Sequence, residues 1–202
     1  LAKGLVVFLH GGYWLRFDKS FWSHLAAGPL AHGWAVAMPS YDLCPAVRIG
    51  DIGRQVATAI GVVAERVPGP IRLVGHSAGG HLVARMTAPR LGARWQDRVE
   101  RLIAISPVAD LAPLMRTSMN VDLKIDAVEA LAESPVHLPA PSIPVTVWVG
   151  ADERPVFLEQ AQSLAEAWQC EQVVEPGLHH FNVVERLAEP NSPLTLAVVS
   201  AA

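Results

Sequence analysis

Short unbroken apolar runs recur along the chain, separated by longer stretches in which apolar residues return every three or four positions. Runs without a polar face suit strands covered on both sides, and the longer spacing suits helices that do the covering. The predicted strands are Leu5–Leu9, Trp34–Met38, Ile71–Gly75, Leu102–Ile105, Val145–Gly150 and, from a weaker pattern, Glu171–Glu175. Between them, Ser20–His32, Asp51–Val67, Ala78–Ala88, Arg154–Trp168 and His180–Ala188 are long enough for crossover helices. Strand and helix alternate throughout, which predicts an α/β fold with a mostly parallel sheet and helices on both faces.

Punctuation supports these limits. Val67-Pro68-Gly69-Pro70 cannot continue a helix and leads straight into a strand, and Pro176-Gly177 precedes the last helical stretch. The exception lies between Ser106 and Pro144, where Pro107, Pro113, Pro135, Pro139, Pro141 and Pro144 break up a region without a strand pattern. Residues 107–143 therefore read as a small cap-like excursion over the strand ends, and long insertions of this kind commonly shape pockets.

Composition narrows the function classes. A chain of 202 residues, 51% hydrophobic and 17% charged, is expected to form one domain with a large core. The formal net charge of −3, without a basic run, offers no electrostatic footprint for nucleic acid or an anionic membrane. A small-molecule acyl substrate is the expected partner, and a homodimer stays open. Cys44 and Cys170 stand far apart without metal or redox spacing, so they read as idle thiols. The opening LAKGLVVFLHGG holds too short an apolar run for a signal or a membrane span, and a cytoplasmic location is expected. No zinc-type spacing, GxGxxG or GxxxxGK[ST] occurs, so neither a metal nor another cofactor is expected.

The sharpest chemical signal is Gly75-His76-Ser77-Ala78-Gly79-Gly80, a GxSxG between a strand run and a helical stretch. A serine that attacks a carbonyl must stand on a strained strand-to-helix turn, and small neighbours give that turn room. Ser77 is the expected nucleophile. At the end of the first strand, His10-Gly11-Gly12-Tyr13-Trp14 has the form of a loop that lends backbone amides to an oxyanion hole. Gly12, Tyr13 and Ala78 are the expected donors, with Gly11 shaping the turn and His10 bracing it. A serine hydroxyl needs a base, and the base an orienting carboxylate. Strand Val145–Gly150 runs into Ala151-Asp152-Glu153, which makes Asp152 the expected acid and Glu153 the runner-up. The adjacent His179 and His180 are the candidate bases; the order Ser, acid, His is that of α/β-hydrolases. Tyr13, Trp14, Trp22 and His76 are the candidate pocket residues, with Trp14 or Tyr13 able to stack on an aryl group.

These segments together resemble the kynurenine formamidase (arylformamidase) and small-esterase branch of the α/β-hydrolases. The resemblance is carried by HGGYW at 10–14, GHSAGGHL at 75–82, SPVADLAPLMRTSMN at 106–120, GADE at 150–153 and HHFNVVE at 179–185. It implies Ser77 as nucleophile, Asp152 as acid, His180 as base and the loop around Gly12 as oxyanion hole. It also implies hydrolysis of N-formyl-L-kynurenine to kynurenine and formate, a step of tryptophan breakdown. Two departures stand out. This sequence lacks the strands that usually precede the HGG loop in that group, and Asp152-Glu153-Arg154 is not the group's usual wording. A short-acyl carboxylesterase or thioesterase uses the same machinery. An inactive hydrolase fold serving as a ligand receptor would be expected to lose a triad member, and none is visibly lost.

Overall fold

The computed structural model describes residues 1–200. Six parallel strands, β1 (Leu5–Leu9), β2 (Ala35–Ala37), β3 (Ile71–His76), β4 (Val99–Ile105), β5 (Val145–Gly150) and β6 (Glu171–Glu175), form one sheet in the order β2-β1-β3-β4-β5-β6. Strands β1, β3 and β5 are buried at every position, as their unbroken apolar runs require. Successive side chains alternate between two cores. Leu5, Val7, Leu73, Leu102, Ala104, Val147 and Val149 face one, and Val6, Phe8, Val74, Ile103, Ile105 and Trp148 face the other.

Among the described residues seven α-helices accompany the sheet: α1 (Ala27–Ala31), α2 (Ile49–Arg66), α3 (Ala78–Arg85), α4 (Asn120–Leu123), α5 (Ala127–Glu133), α6 (Pro155–Trp168) and α7 (Pro193–Val199). Helices α2 and α6 place Ile52, Val56, Ile60, Ala161 and Leu164 in the first core, and α7 closes the second with Leu194 and Val198. The helical spacing of these apolar residues is what aims one stripe of each helix at the sheet. Asp51 in the first turn of α2 accepts the Arg48 amide at 2.9 Å, fixing where that helix begins.

Three expectations change. Ser20–His32 divides into a 3₁₀ segment, Lys19–Ala26, followed by α1. His180–Ala188 is not one helix: the chain turns through Phe181 and Asn182, and only Val184–Ala188 coils, as 3₁₀. The Asn182 side chain accepts the His179 amide at 2.6 Å and stabilises that turn in place of a first helical turn. Helix α7 was not predicted, although Ser192 caps it by accepting the Thr195 amide at 3.1 Å and Pro193 stands at its first position.

The 107–143 excursion contains no strand and is built of 3₁₀ turns with α4 and α5. It is tied to the body by a buried ion pair, Arg85 Nη2 to Glu133 Oε2 at 2.6 Å, and by His81 Nε2 donating to the Glu133 carbonyl at 2.9 Å. Cys44 and Cys170 are free, and burial raises the Cys44 thiol to about 11, so it stays protonated at neutral pH. Among the described residues no helix is long and apolar enough to cross a membrane.

Candidate active site

Ser77 is the single residue between β3 and α3, and its backbone is strained at φ 57°, ψ −117°. A non-glycine residue held in such a conformation costs on the order of 1–3 kcal/mol and persists only where its surroundings over-determine it. They do so here. A Cβ on Gly75 would lie 2.1 Å from the Gly79 carbonyl oxygen, and one on Gly79 would lie 1.9 Å from that of Leu9. The glycines of the motif thus let strand, turn and helix cross at backbone contact distance. The Ser77 amide donates to the Ile105 carbonyl at 2.8 Å, which ties the turn to β4.

The loop after β1 approaches from the other side. Gly12, Tyr13 and Trp14 all have positive φ, at 113°, 52° and 59°, and the Gly12 carbonyl accepts the Leu15 and Arg16 amides at 3.0 and 3.1 Å. Among the described residues no backbone group accepts from the amides of Gly12, Tyr13 or Ala78. Gly11 is in close contact with the elbow: a Cβ there would lie 2.9 Å from the Ser77 Cβ. His10 stacks on Tyr41 at 4.4 Å, and the Tyr41 hydroxyl donates to the His10 carbonyl at 2.8 Å. His10 therefore braces the loop. Trp14 is a core residue and not a pocket wall. Its ring is fully buried against the edge of His81 at 4.9 Å, because the positive φ at Trp14 turns the side chain inward.

Glu153, and not Asp152, carries the carboxylate that meets His180. His180 Nδ1 donates to Glu153 Oε2 at 2.7 Å, and Glu153 Oε1 accepts the Gly150 amide at 3.0 Å and the Ser106 hydroxyl. The turn after β5 decides between the neighbours. The Asp152 amide is held by the Leu178 carbonyl at 2.9 Å at the apex, so its side chain is exposed, and the next residue folds back under the strand end. Burial pushes the Glu153 carboxyl up, but hydrogen bonds from His180, Ser106 and Gly150 outweigh it and hold the pKa below the ordinary glutamate value. The site therefore keeps a buried carboxylate charged beside His180.

Three ring contacts fix the His180 imidazole: Phe157 stacks on it at 3.8 Å, the His76 ring lies tilted at 4.7 Å, and Phe181 meets it edge-on at 5.4 Å. His76 fixes its backbone, with Nε2 donating to the His180 carbonyl at 2.7 Å. Burial lowers the His76 imidazole to about 3, with the His180 charge acting in the same direction, so His76 is a neutral donor. Because the proton on Nδ1 of His180 is hydrogen-bonded to Glu153, Nε2 is left with the free lone pair.

Ser77, His76 and His180 line one cleft of about 330 Å³, walled by Tyr13, Leu15, Phe17, Trp22, Met119 and Phe181. Sequence reasoning pointed to Tyr13, Trp22 and His76 in this cleft but missed Met119, Phe17 and Phe181. Ser106 and Phe157 were missed too. Ser106 has positive φ, 45°, and no pattern along the chain announces it. Phe181 had a signal, since it directly follows the histidine pair. Among the described residues no cluster of His, Cys, Asp and Glu could hold a metal ion.

The sequence profile described as alpha/beta hydrolase fold matches residues 6–181. The chain belongs to the α/β-hydrolase family. Kynurenine formamidases of Salmo salar and Drosophila melanogaster are each 29% identical to this hydrolase, covering 95% of it and 70% of their own length. Among solved structures, a candidate thioesterase from a Silicibacter species is 53% identical with a TM-score of 0.96, covering 98% of the hydrolase and 77% of that chain. An esterase from Pyrobaculum calidifontis superposes with a TM-score of 0.79 at 18% identity, covering 98% and 76%, and shares the fold.

Proposed function

We propose that this hydrolase cleaves a small acyl group from an aryl amine or an alcohol through a Ser77–His180–Glu153 triad and an acyl-enzyme. The observation that carries the reading is the buried Glu153–His180 hydrogen bond at 2.7 Å, in a cleft shared with a strained, elbow-mounted Ser77. His180 Nε2 takes the Ser77 proton as Oγ attacks the carbonyl carbon, and the charged Glu153 stabilises the imidazolium that forms. The developing oxyanion is met by the amides of Gly12, Tyr13 and Ala78, the last at the N-terminus of α3, where backbone donors and the helix dipole favour negative charge. His180 hands the proton to the leaving nitrogen or oxygen as its bond to the acyl carbon breaks. Water then loses a proton to the same nitrogen and attacks the acyl-enzyme, and His180 returns that proton to Ser77 Oγ as the acyl–oxygen bond breaks, releasing the acid and free Ser77.

The formamidase reading follows the two relatives named kynurenine formamidase, and the aromatic cleft walls of Tyr13, Phe17, Trp22 and Phe181 suit an aryl substrate. The thioesterase reading rests on the 53% identical relative. Steady-state kinetics of wild type and Ser77→Ala on N-formyl-L-kynurenine, p-nitrophenyl acetate and a short acyl thioester separate them. The highest kcat/KM falls on the formamide if the first reading holds, and the variant is inactive on all three. Preference for the thioester or ester transfers the assignment to that leaving group, and a wild type inactive on every substrate overturns the catalytic reading.

A further inference from the structure

A second cleft, of about 500 Å³, shares Tyr13, His180 and Phe181 with the first. Its distinctive feature is charge. Asp152 and Arg154 both line it, both are exposed, and neither side chain makes a hydrogen bond or ion pair with another described residue, nor with the other. They flank Glu153, whose inward turn sends its two neighbours outward on the same short segment. Arg154 is the N-cap residue of α6, so its side chain leaves from ordered backbone. Its charge is felt at the Tyr13 phenol, where it opposes the upward effect of burial on the pKa. His179, also in this cleft, is already used: its Nδ1 accepts the Phe181 and Asn182 amides at 3.2 and 3.4 Å.

Opposite charges that line one cleft without pairing are complementary to a ligand with both signs. A simple anion would be repelled by Asp152 and a simple cation by Arg154, whereas a zwitterion satisfies both. The histidine that returns a proton to the leaving group must border the space that group occupies. The second cleft is bordered by His180.

We propose that the second cleft is a leaving-group subsite for an α-amino acid head, with Arg154 taking the carboxylate, Asp152 the ammonium, and Tyr13 and Phe181 flanking the aryl portion that leads back to Ser77. This deepens the proposed function and rests on the same placement of His180. The guanidinium offers the carboxylate a paired, planar set of donors, which makes Arg154 the stronger of the two contacts.

Calorimetric titration tests it without turnover, using L-kynurenine and 2-aminoacetophenone, the same aryl ketone lacking the amino-acid head. The wild type is expected to bind the amino acid at least tenfold more tightly than the ketone. Arg154→Gln and Asp152→Asn are each expected to cut that ratio at least threefold; both residues are exposed, and circular dichroism checks that the variants are folded. A wild-type ratio near one, or a ratio that neither substitution changes, overturns the proposal. Loss in Arg154→Gln alone overturns it as well, in favour of a site for a carboxylate only. Selective binding by a protein that hydrolyses no formamide would sink the catalytic reading and leave the amino-acid site standing. Hydrolysis with no such preference would sink the subsite alone.

Discussion

Asp152 and Glu153 carry the same functional group one position apart, and only the path of a single turn separates a solvent-facing carboxylate from one sealed against His180. Sequence pattern placed a carboxylate beyond β5 but could not say which residue would fold back, because that depends on the Asp152 amide being held by Leu178, 26 residues downstream (178 − 152). Replacing Glu153 by Gln removes the charge that stabilises the imidazolium and admits the wrong tautomer. On p-nitrophenyl acetate this should lower kcat by about 10³–10⁴-fold, while the loss in Asp152→Asn should be at least tenfold smaller. Equal losses would return the acid role to Asp152. Trp14 shows the same limit from the other side: an aromatic next to the HGG glycines looked available to substrate, and positive backbone φ sent it into the core.

At the level of elements, the elbow was the most legible part of the chain, because its requirement is local. A strand that passes into a helix through one residue needs small side chains at fixed offsets, and Gly75, Gly79 and Gly80 supply them. Gly79→Ala should consequently be far worse than an ordinary glycine substitution in a helix, since its Cβ would meet the Leu9 backbone and not a movable side chain. A loss of about 3 kcal/mol or more is expected in urea denaturation, and a loss under 1 kcal/mol would mean that β1 can move away from α3. The β-strands were legible for a similar reason, their apolar runs reporting burial on both faces. The segment after β6 was not. Its residues have helical spacing, but the Asn182 and His179 side chains bind local backbone amides and hold a turn instead. Helix α7 carried its signal in Ser192-Pro193, and its short apolar stripe near the chain end was passed over.

At the scale of the molecule, His76 and His81 are buried in neutral form, each lowered to about 3 chiefly by burial, and burial lowers the pKa of the buried His10 as well. In the unfolded chain they titrate near pH 6.5. A depressed histidine pKa means that the unfolded state binds the extra proton first, so the stability from keeping these rings neutral is complete above about pH 6.5 and declines as pH falls toward 3. Each histidine contributes a slope of up to about 1.4 kcal/mol per pH unit in that window. Urea midpoints should therefore fall steadily from pH 6.5 to 4.5, and His81→Gln, which retains a donor for the Glu133 carbonyl without titrating, should flatten the decline. An unchanged slope in that variant would show that the carboxylates govern acid unfolding. The positions of nucleophile and base in the sheet have a different consequence. Ser77 follows β3, buried at every residue in the middle of the sheet, whereas His180 follows β6, a partly exposed strand at its margin. Margins open at lower free energy than centres. On warming, the protein should stop working before it melts, passing through a form that keeps its far-ultraviolet circular dichroism and its ordered serine but has let go of the histidine that makes the serine reactive.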